Sequence, residues 1–455
     1  MSTALPRGVT GPLGRELMRL AVPVFFSFLL RIAYQWVDAL WVKGLGVEAT
    51  AAVTTSVFVM WSVYSINDIV GIGAAAYVSQ LLGAGERARA GVAAFHGLRA
   101  SALLGLFGTL AGFFAVRHIY QLMSTDAGVV THGVSYLSVL LVFAPIPMMA
   151  LTAETVMRAA GDTRTPLIVD LFAIGLNAVL DPLLIYGWGP FPRMGVAGAA
   201  WATVIAQTVM VACYVTLAAR GHRAFPFART APGPPIRTAG MARVGAPGAI
   251  IGLLFSAVYI AFARAAGAFG PAALAVVGVA NRVEALHFVG SVSFGSAAAT
   301  LVGQNLGAKR PDRAVAAILT ANRWNLWGSG ILTVAFFAVP GVFLNFFSRD
   351  PEVHRIGAEY LRVLSLCLPF VGIEIVTAEG IIGSGHTRAI SAIFTTFSLL
   401  RIPLAFIVPA WNGLGVIGIA WLITVTAVLR SMIIVAWAMR RTWLSGLARE
   451  LEQAG

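Results

Sequence analysis

About twelve stretches of roughly twenty apolar residues recur along this chain, the length a helix needs to cross ~30 Å of hydrocarbon. They run Leu20–Val42, Val53–Leu82, Ala93–Val116, Val134–Met157, Thr165–Tyr186 and Val196–Ala219. After a basic loop come Val244–Ala263, Ala273–Leu301, Val315–Phe346, Leu361–Ile382, Ala389–Val408 and Val416–Met439. Only 11% of the 455 residues are charged while 58% are hydrophobic, against about 25% charged in a soluble domain. A mean hydropathy of +0.83 over a length beyond the roughly 250–300 residues of one soluble core points to an all-α polytopic membrane protein. Arg7, Arg15 and Arg19 ahead of Leu20 imitate a signal peptide. The run continues past Asp38 with no small-residue cleavage site, so it is expected to be a retained first span.

The net charge of +13 would suggest nucleic acid in a soluble chain. Here the basic residues cluster between apolar runs, so no nucleic-acid partner is expected. One set of alternate loops carries Arg7, Arg15, Arg19, Arg87, Arg89, Arg158, Arg164, five arginines from Arg220 to Arg243, then Lys309, Arg310, Arg313, Arg388, Arg440, Arg441 and Arg449. The other set holds only Lys43, Arg117, Arg193, Arg264, Arg349 and Arg355. The positive-inside rule makes the first side cytoplasmic, with both termini inside the cytoplasmic (inner) membrane. Cys213 and Cys367 lie in separate apolar runs and read as small core residues.

The two halves repeat. Val78–Ala90 aligns with Val302–Ala314, with Gln80 on Gln304, an offset of 224 residues. The same offset carries Pro23 onto Pro247, Pro145 onto Pro369, and Gly161, Thr163 and Arg164 onto Gly385, Thr387 and Arg388. Near the end of each half it slips to 220, pairing Gly195–Trp201 with Gly415–Trp421. Six spans per half insert the same way round, giving a parallel repeat about an axis along the membrane normal. The expected layout is an amino-terminal six-helix lobe (1–220), a Pro-rich basic linker (221–241), a carboxy-terminal six-helix lobe (242–442) and a cytoplasmic tail (443–455), with the lobes around a central cavity.

Eight acids fall inside the spans: Asp38, Asp68, Glu154, Asp170, Asp181, Glu284, Glu374 and Glu379. Each costs about 2.5–3.5 kcal/mol at a lipid-facing helix centre, so they are expected to face protein or a wet cavity. Glu154, Glu379 and Asp170, near span ends, are the ones expected to reach the interface. Asp38 is the foremost candidate for chemistry, and Asn177 and Asp181, four residues apart, share one helical face. A desolvated carboxyl can hold a proton near neutrality, while two carboxylates and an amide oxygen equally suit Na⁺. A structural carboxylate with an interhelical hydrogen bond is the plainer alternative for each. Asp170 shares the Asn177 face. Arg31, seven residues before Asp38, is placed to pair Asp38 or Asp68, and Glu284 to pair Arg282. Asp68, Asp170, Glu284 and Arg31 are thus coupling or structural candidates. Tyr34, Trp61, Tyr64, Trp201 and Tyr259 supply rings for stacking or cation–π contact with an organic cation, though interfacial belts and packing explain most membrane aromatics.

Neither lysine, Lys43 or Lys309, follows a P-loop glycine pattern, so any pumping is expected to draw on an ion gradient. The seven histidines show no ligand spacing, and no nucleophile elbow appears. No metal site, cofactor or enzyme chemistry is expected.

These pieces in this order resemble the multidrug and toxic compound extrusion (MATE) family over nearly the whole length. The carrying segments are Leu20–Pro23, Val37-Asp38 with Trp41–Gly46, the paired Gln80 and Gln304 loops, Gly161–Arg164, Asn177–Pro182 and Gly195–Thr203. The resemblance implies a two-lobe, twelve-helix antiporter that exports organic cations against inward H⁺ or Na⁺. It casts Asp38, Asn177, Asp181 and Thr203 as the amino-lobe ion site, and Pro23 as a first-helix hinge. Val244–Ala263 holds no acid, where another branch carries a coupling carboxylate. The counterparts of Asn177 and Asp181 are Arg401 and Ala405, or Phe397 and Arg401 under the shorter offset. The chain therefore resembles the DNA-damage-inducible branch more than the sodium-driven one, with coupling in the amino lobe. It is expected to act as a monomer whose partners are the bilayer and small organic, cationic substrates. A flippase for lipid-linked precursors, a non-transporting membrane receptor or scaffold, and a channel are the competing readings.

Overall fold

A computed structural model describes residues 5–123, 126–221 and 227–447. The linker stretch 222–226 and the tail from 448 onward lie outside the described residues. The principal helices are α1 (Leu13–Lys43), α2 (Val47–Gly83), α3 (Arg87–Met123), α4 (Ala127–Val142), α5 (Pro145–Ala159), α6 (Arg164–Tyr186) and α7 (Val196–Ala219). The second half repeats them as α8 (Thr238–Gly267), α9 (Pro271–Gly307), α10 (Pro311–Ala338), α11 (Pro351–Ser365), α12 (Leu368–Gly383), α13 (Thr387–Ile407) and α14 (Ile417–Met439). No strand occurs among the described residues.

Nine of these helices are long and apolar enough to cross a membrane, and eleven spans result if each of two bent pairs counts once, among the described residues. The remaining long helix is α10, where Asn322, Arg323 and Asn325 lower the apolarity. It begins 224 residues after α3, its counterpart, so it completes twelve.

The fourth span of each half is broken rather than continuous. α4 and α5 meet at 56°, and α11 and α12 at 50°. Pro145 and Pro369 stand in the first turn of the second member, where a proline removes a backbone donor and clashes with the preceding turn. The run expected from Val315 to Phe346 likewise stops at Ala338, and Pro340 opens a short separate helix. Between the first two spans of each half, Gly46 and Gly270 take φ of 108° and 101°, a region that favours glycine because it has no Cβ.

By packing, the chain divides into two compact units. One contains Val22–Ala249 and is centred on a core that includes Tyr120, Leu137, Met148 and Ile185. The other contains Ile250–Leu447 together with Gly8–Ala21. The division thus falls within α1, at Ala21, and within α8, at Ala249. Leu17, Leu20 and Ala21 join the core made by Leu301, Ile318, Ile381 and Ile434. Asn305 Nδ2 donates to Gly8 O at 3.1 Å and Arg310 to Val9 O at 3.1 Å, tying down the approach to α1. The start of α8 packs equally closely in the first unit. A Cβ on Gly245 would lie 2.3 Å from the carbonyl oxygens of Asp68 and Ile69.

Candidate ion site

In the amino-terminal unit α1, α6 and α7 bring five of the singled-out residues together. Tyr34 and Asp38 stand one turn apart on α1, as Asn177 and Asp181 do on α6, so each pair shares a face. Asn177 and Asp181 are fully buried, and Asp38 and Thr203 are 8% and 7% exposed. The Asn177 amide satisfies its neighbours in one orientation. Its nitrogen donates to Asp38 Oδ1 at 3.1 Å and Asp181 Oδ2 at 3.2 Å, and its oxygen accepts from the Thr203 N–H at 3.2 Å. Tyr34 Oη and Thr203 Oγ1 are hydrogen-bonded at 2.8 Å, and the Tyr34 hydroxyl also reaches Asp38.

Asn177 thus bridges the Asp38 and Asp181 carboxyls. Asp181 Oδ1 is buried and receives no hydrogen bond. Pro182, inside α6, lacks the N–H that would bond the carbonyl one turn back, so the helix is loosened beside the acids. Two buried carboxyls bridged by one amide are groups that a proton or a small cation would neutralise.

Tyr136, on α4, lies close to both Asp38 and Asp181 and was not singled out from the sequence. Its repeat counterpart at the 224 offset is Tyr360, also buried, and that duplication was the available signal. Tyr64 hydrogen-bonds Gln207. Trp61 is exposed at 42%, and Trp201 packs against Phe143 at 5.1 Å.

Arg31 serves a different group. It pairs with Glu154 and lies 3.9 Å from Asp170, while Arg158 also pairs with Glu154. The expected pairing of Arg31 with Asp38 or Asp68 is thus replaced by a buried knot of two arginines and two acids. Glu154 and Asp170 are 2% and 3% exposed, so neither reaches an interface. Their charges are balanced inside the protein instead. Asp68 is half-buried on α2. Pro23 sits inside α1.

In the carboxy-terminal unit Glu284 accepts from Tyr259 Oη at 3.3 Å. It does not pair with Arg282, whose guanidinium lies 5.9 Å over the Phe347 ring. Arg430 and Glu374 form a buried ion pair at 2.7 Å. Among the described residues no three His, Cys, Asp or Glu side chains are grouped to hold a metal, and both cysteines are free.

Two repeated helical units with a buried, protonatable acid cluster in one of them define a membrane transporter rather than an enzyme. The MatE family model matches residues 23–183 and 247–407, so it matches twice at the same 224-residue offset. The chain belongs to the MATE family. It is 27% identical to a protein of Shewanella oneidensis named FAD transporter, over 87% of this chain and 88% of that one. It is 26% identical to the "Probable multidrug resistance protein NorM" of Thermotoga maritima, over 92% and 90%. A solved MOP superfamily transporter from Pyrococcus furiosus shares the fold with a TM-score of 0.87 at 22% identity, covering 96% of this chain and 98% of that one.

Proposed function

We propose that this multi-pass membrane protein is an ion-coupled multidrug antiporter, exporting organic cations by alternating access from a membrane with both termini cytoplasmic. The observation carrying this reading is the buried cluster of Asp38, Asn177, Asp181 and Thr203, in which one amide bridges two carboxyls. The names of the Thermotoga relative and of several others, which are multidrug resistance or export proteins, support the drug cargo. A cationic substrate is held while the cluster is anionic. Ion uptake from outside neutralises the acids, weakens the hold and favours the releasing state. Such coupling requires that ion and drug each prefer a different state. Pro23 is the proposed bending point of α1, since it removes one helical hydrogen bond there.

H⁺ rather than Na⁺ is the coupling ion we propose, because a proton neutralises a buried carboxyl without needing further oxygen ligands. The test is flux of ethidium into proteoliposomes under an imposed pH gradient or Na⁺ gradient, each applied alone. A pH gradient is expected to drive accumulation that Asp38→Asn abolishes. Accumulation unchanged in Asp38→Asn would overturn the assignment of the site, and accumulation driven by Na⁺ alone would overturn the choice of ion.

A further inference from the structure

The third helix of each half carries an exposed arginine at the same repeat position. Arg99 on α3 and Arg323 on α10 stand 224 residues apart. Among the described residues neither makes an ion pair or a hydrogen bond. Both belong to faces turned away from the protein. On α10, Ala317, Ala321, Asn325 and Ser329 are buried, while Leu319, Trp327, Ile331 and Val334 are 63–69% exposed. Arg323 lies one turn from Leu319 and one turn from Trp327, so it interrupts this apolar stripe. On α3 the stripe consists of Leu103, Phe107, Leu110 and Phe114, each at least 56% exposed, and Arg99 stands one turn before it.

The depth of these arginines follows from helix rise. Arg117, also exposed, comes eighteen residues after Arg99, about 27 Å along the helix and close to the ~30 Å of hydrocarbon. The two arginines of α3 therefore bracket the apolar layer, and Arg99 marks its boundary on the side of the Gln80 loop. Arg323 holds the same place on the side of the Gln304 loop. Water alone would serve an arginine that snorkels past the apolar layer, but exposed Leu319 carries the apolar face of α10 a turn beyond Arg323. Trp324 and Trp327, exposed at 45% and 69%, are the ring type that settles at the headgroup level. No acid lies within a turn of Arg323 along α10. Glu16, near Trp324 at the start of α1, is already paired with Arg19 at 2.7 Å. The group that completes such a site is a phosphate, whose oxygens accept two parallel hydrogen bonds from one guanidinium. An acidic headgroup needs that cation, whereas a choline headgroup brings its own.

We propose that Arg323, with Trp327 one turn along α10, binds the phosphate of an acidic phospholipid, and that Arg99 forms the twin site on α3. This goes beyond the transport reading and does not depend on it.

The test is native mass spectrometry of the full-length protein in detergent, with equal amounts of phosphatidylglycerol and phosphatidylcholine of the same acyl chains. Wild type is expected to retain phosphatidylglycerol about tenfold over phosphatidylcholine, the factor that one hydrogen bond to a charged group supplies. Arg323→Gln is expected to lower that preference, and Arg323→Lys, a point charge without the planar fork, to keep part of it. Arg99→Gln combined with Arg323→Gln is expected to bring the ratio to one. Equal retention of the two lipids by wild type overturns the proposal, whether or not any variant folds. A preference that survives in the double variant overturns it too, since other basic residues would then carry it. So does loss of phosphatidylglycerol to an equal concentration of glycerol 3-phosphate, which marks a site for free phosphates. So does a lipid-free dimer that Arg323→Gln abolishes, which gives the face to a second copy of this chain.

Discussion

In the amino-terminal unit the membrane interior holds acids at positions 38 and 181, joined by Asn177. In the carboxy-terminal unit the same repeat positions hold Phe262 and Ala405, both buried in an apolar core, and Arg401. Tyr136 and Tyr360 are retained in both, only 8% and 2% exposed. One ancestral arrangement of helices therefore carries two opposite polarities. The difference teaches that a shared backbone does not set the charge of a site. At one repeat position Asn177 stands against Arg401, an amide against a guanidinium, and each bonds the backbone of the neighbouring helix, at Thr203 and Ile423.

Each unit also has an ion pair that binds helices together, and these too differ. Glu154 on α5 is shared by Arg31 and Arg158. Glu374 on α12 stands one turn earlier in the repeat and meets Arg430 alone at 2.7 Å.

The strongest way to break the comparison is to remove the acid that only one unit has. Asp38→Asn is expected to reduce gradient-driven ethidium export to the level of protein-free liposomes, whereas Phe262→Leu at the matching position keeps export dependent on the gradient. Loss of coupling in Phe262→Leu would show that both units carry ions. Next in size are the structural pairs. Glu154→Gln takes the shared carboxylate from Arg158 and leaves Arg31 only Asp170 at 3.9 Å, and is expected to cost about 3 kcal/mol, read as a lower Tm in detergent. Glu374→Gln, with one arginine orphaned, should lower it less, and an equal or larger fall would remove the distinction drawn between the two pairs. Tyr34→Phe deletes one hydroxyl from the acid cluster and should slow export about fivefold, the equivalent of about 1 kcal/mol for one hydrogen bond. An initial-rate assay at saturating gradient measures it. At the small end, Arg355→Gln breaks an exposed pair with Glu352 at 2.7 Å and is expected to leave Tm unmoved, because water already solvates both partners.

Much of this was legible in the sequence where information is local or duplicated. Apolar run length announces each span, and Pro23, Pro145, Gly161 and Gln80 announce the repeat because each has a partner 224 residues on. The i,i+4 spacing of Asn177 and Asp181 places them on one face before any fold is known. What spacing cannot carry is contact between distant spans. Arg31 meets Glu154 across 123 residues, so its partner was assigned to nearer acids, and the interior balance of Asp170 was mistaken for an interfacial position. Glu284 shows the same limit, since Tyr259 lies 25 residues away while Arg282 lies beside it in sequence but turns elsewhere. The bends at 56° and 50° follow from Pro145 and Pro369, yet hydropathy runs smoothly across both prolines and gives no sign of a break.

Under the proposed mechanism, drug and coupling ion compete for the cluster of Asp38, Asn177 and Asp181. The most direct measurement is calorimetric titration of purified protein with ethidium in two buffers of different ionisation enthalpy, which counts protons exchanged on binding. Release of about one proton per drug bound is predicted by proton linkage, with none in Asp38→Asn. Binding that exchanges no proton in wild type, or the same proton release after Asp38→Asn, would contradict it.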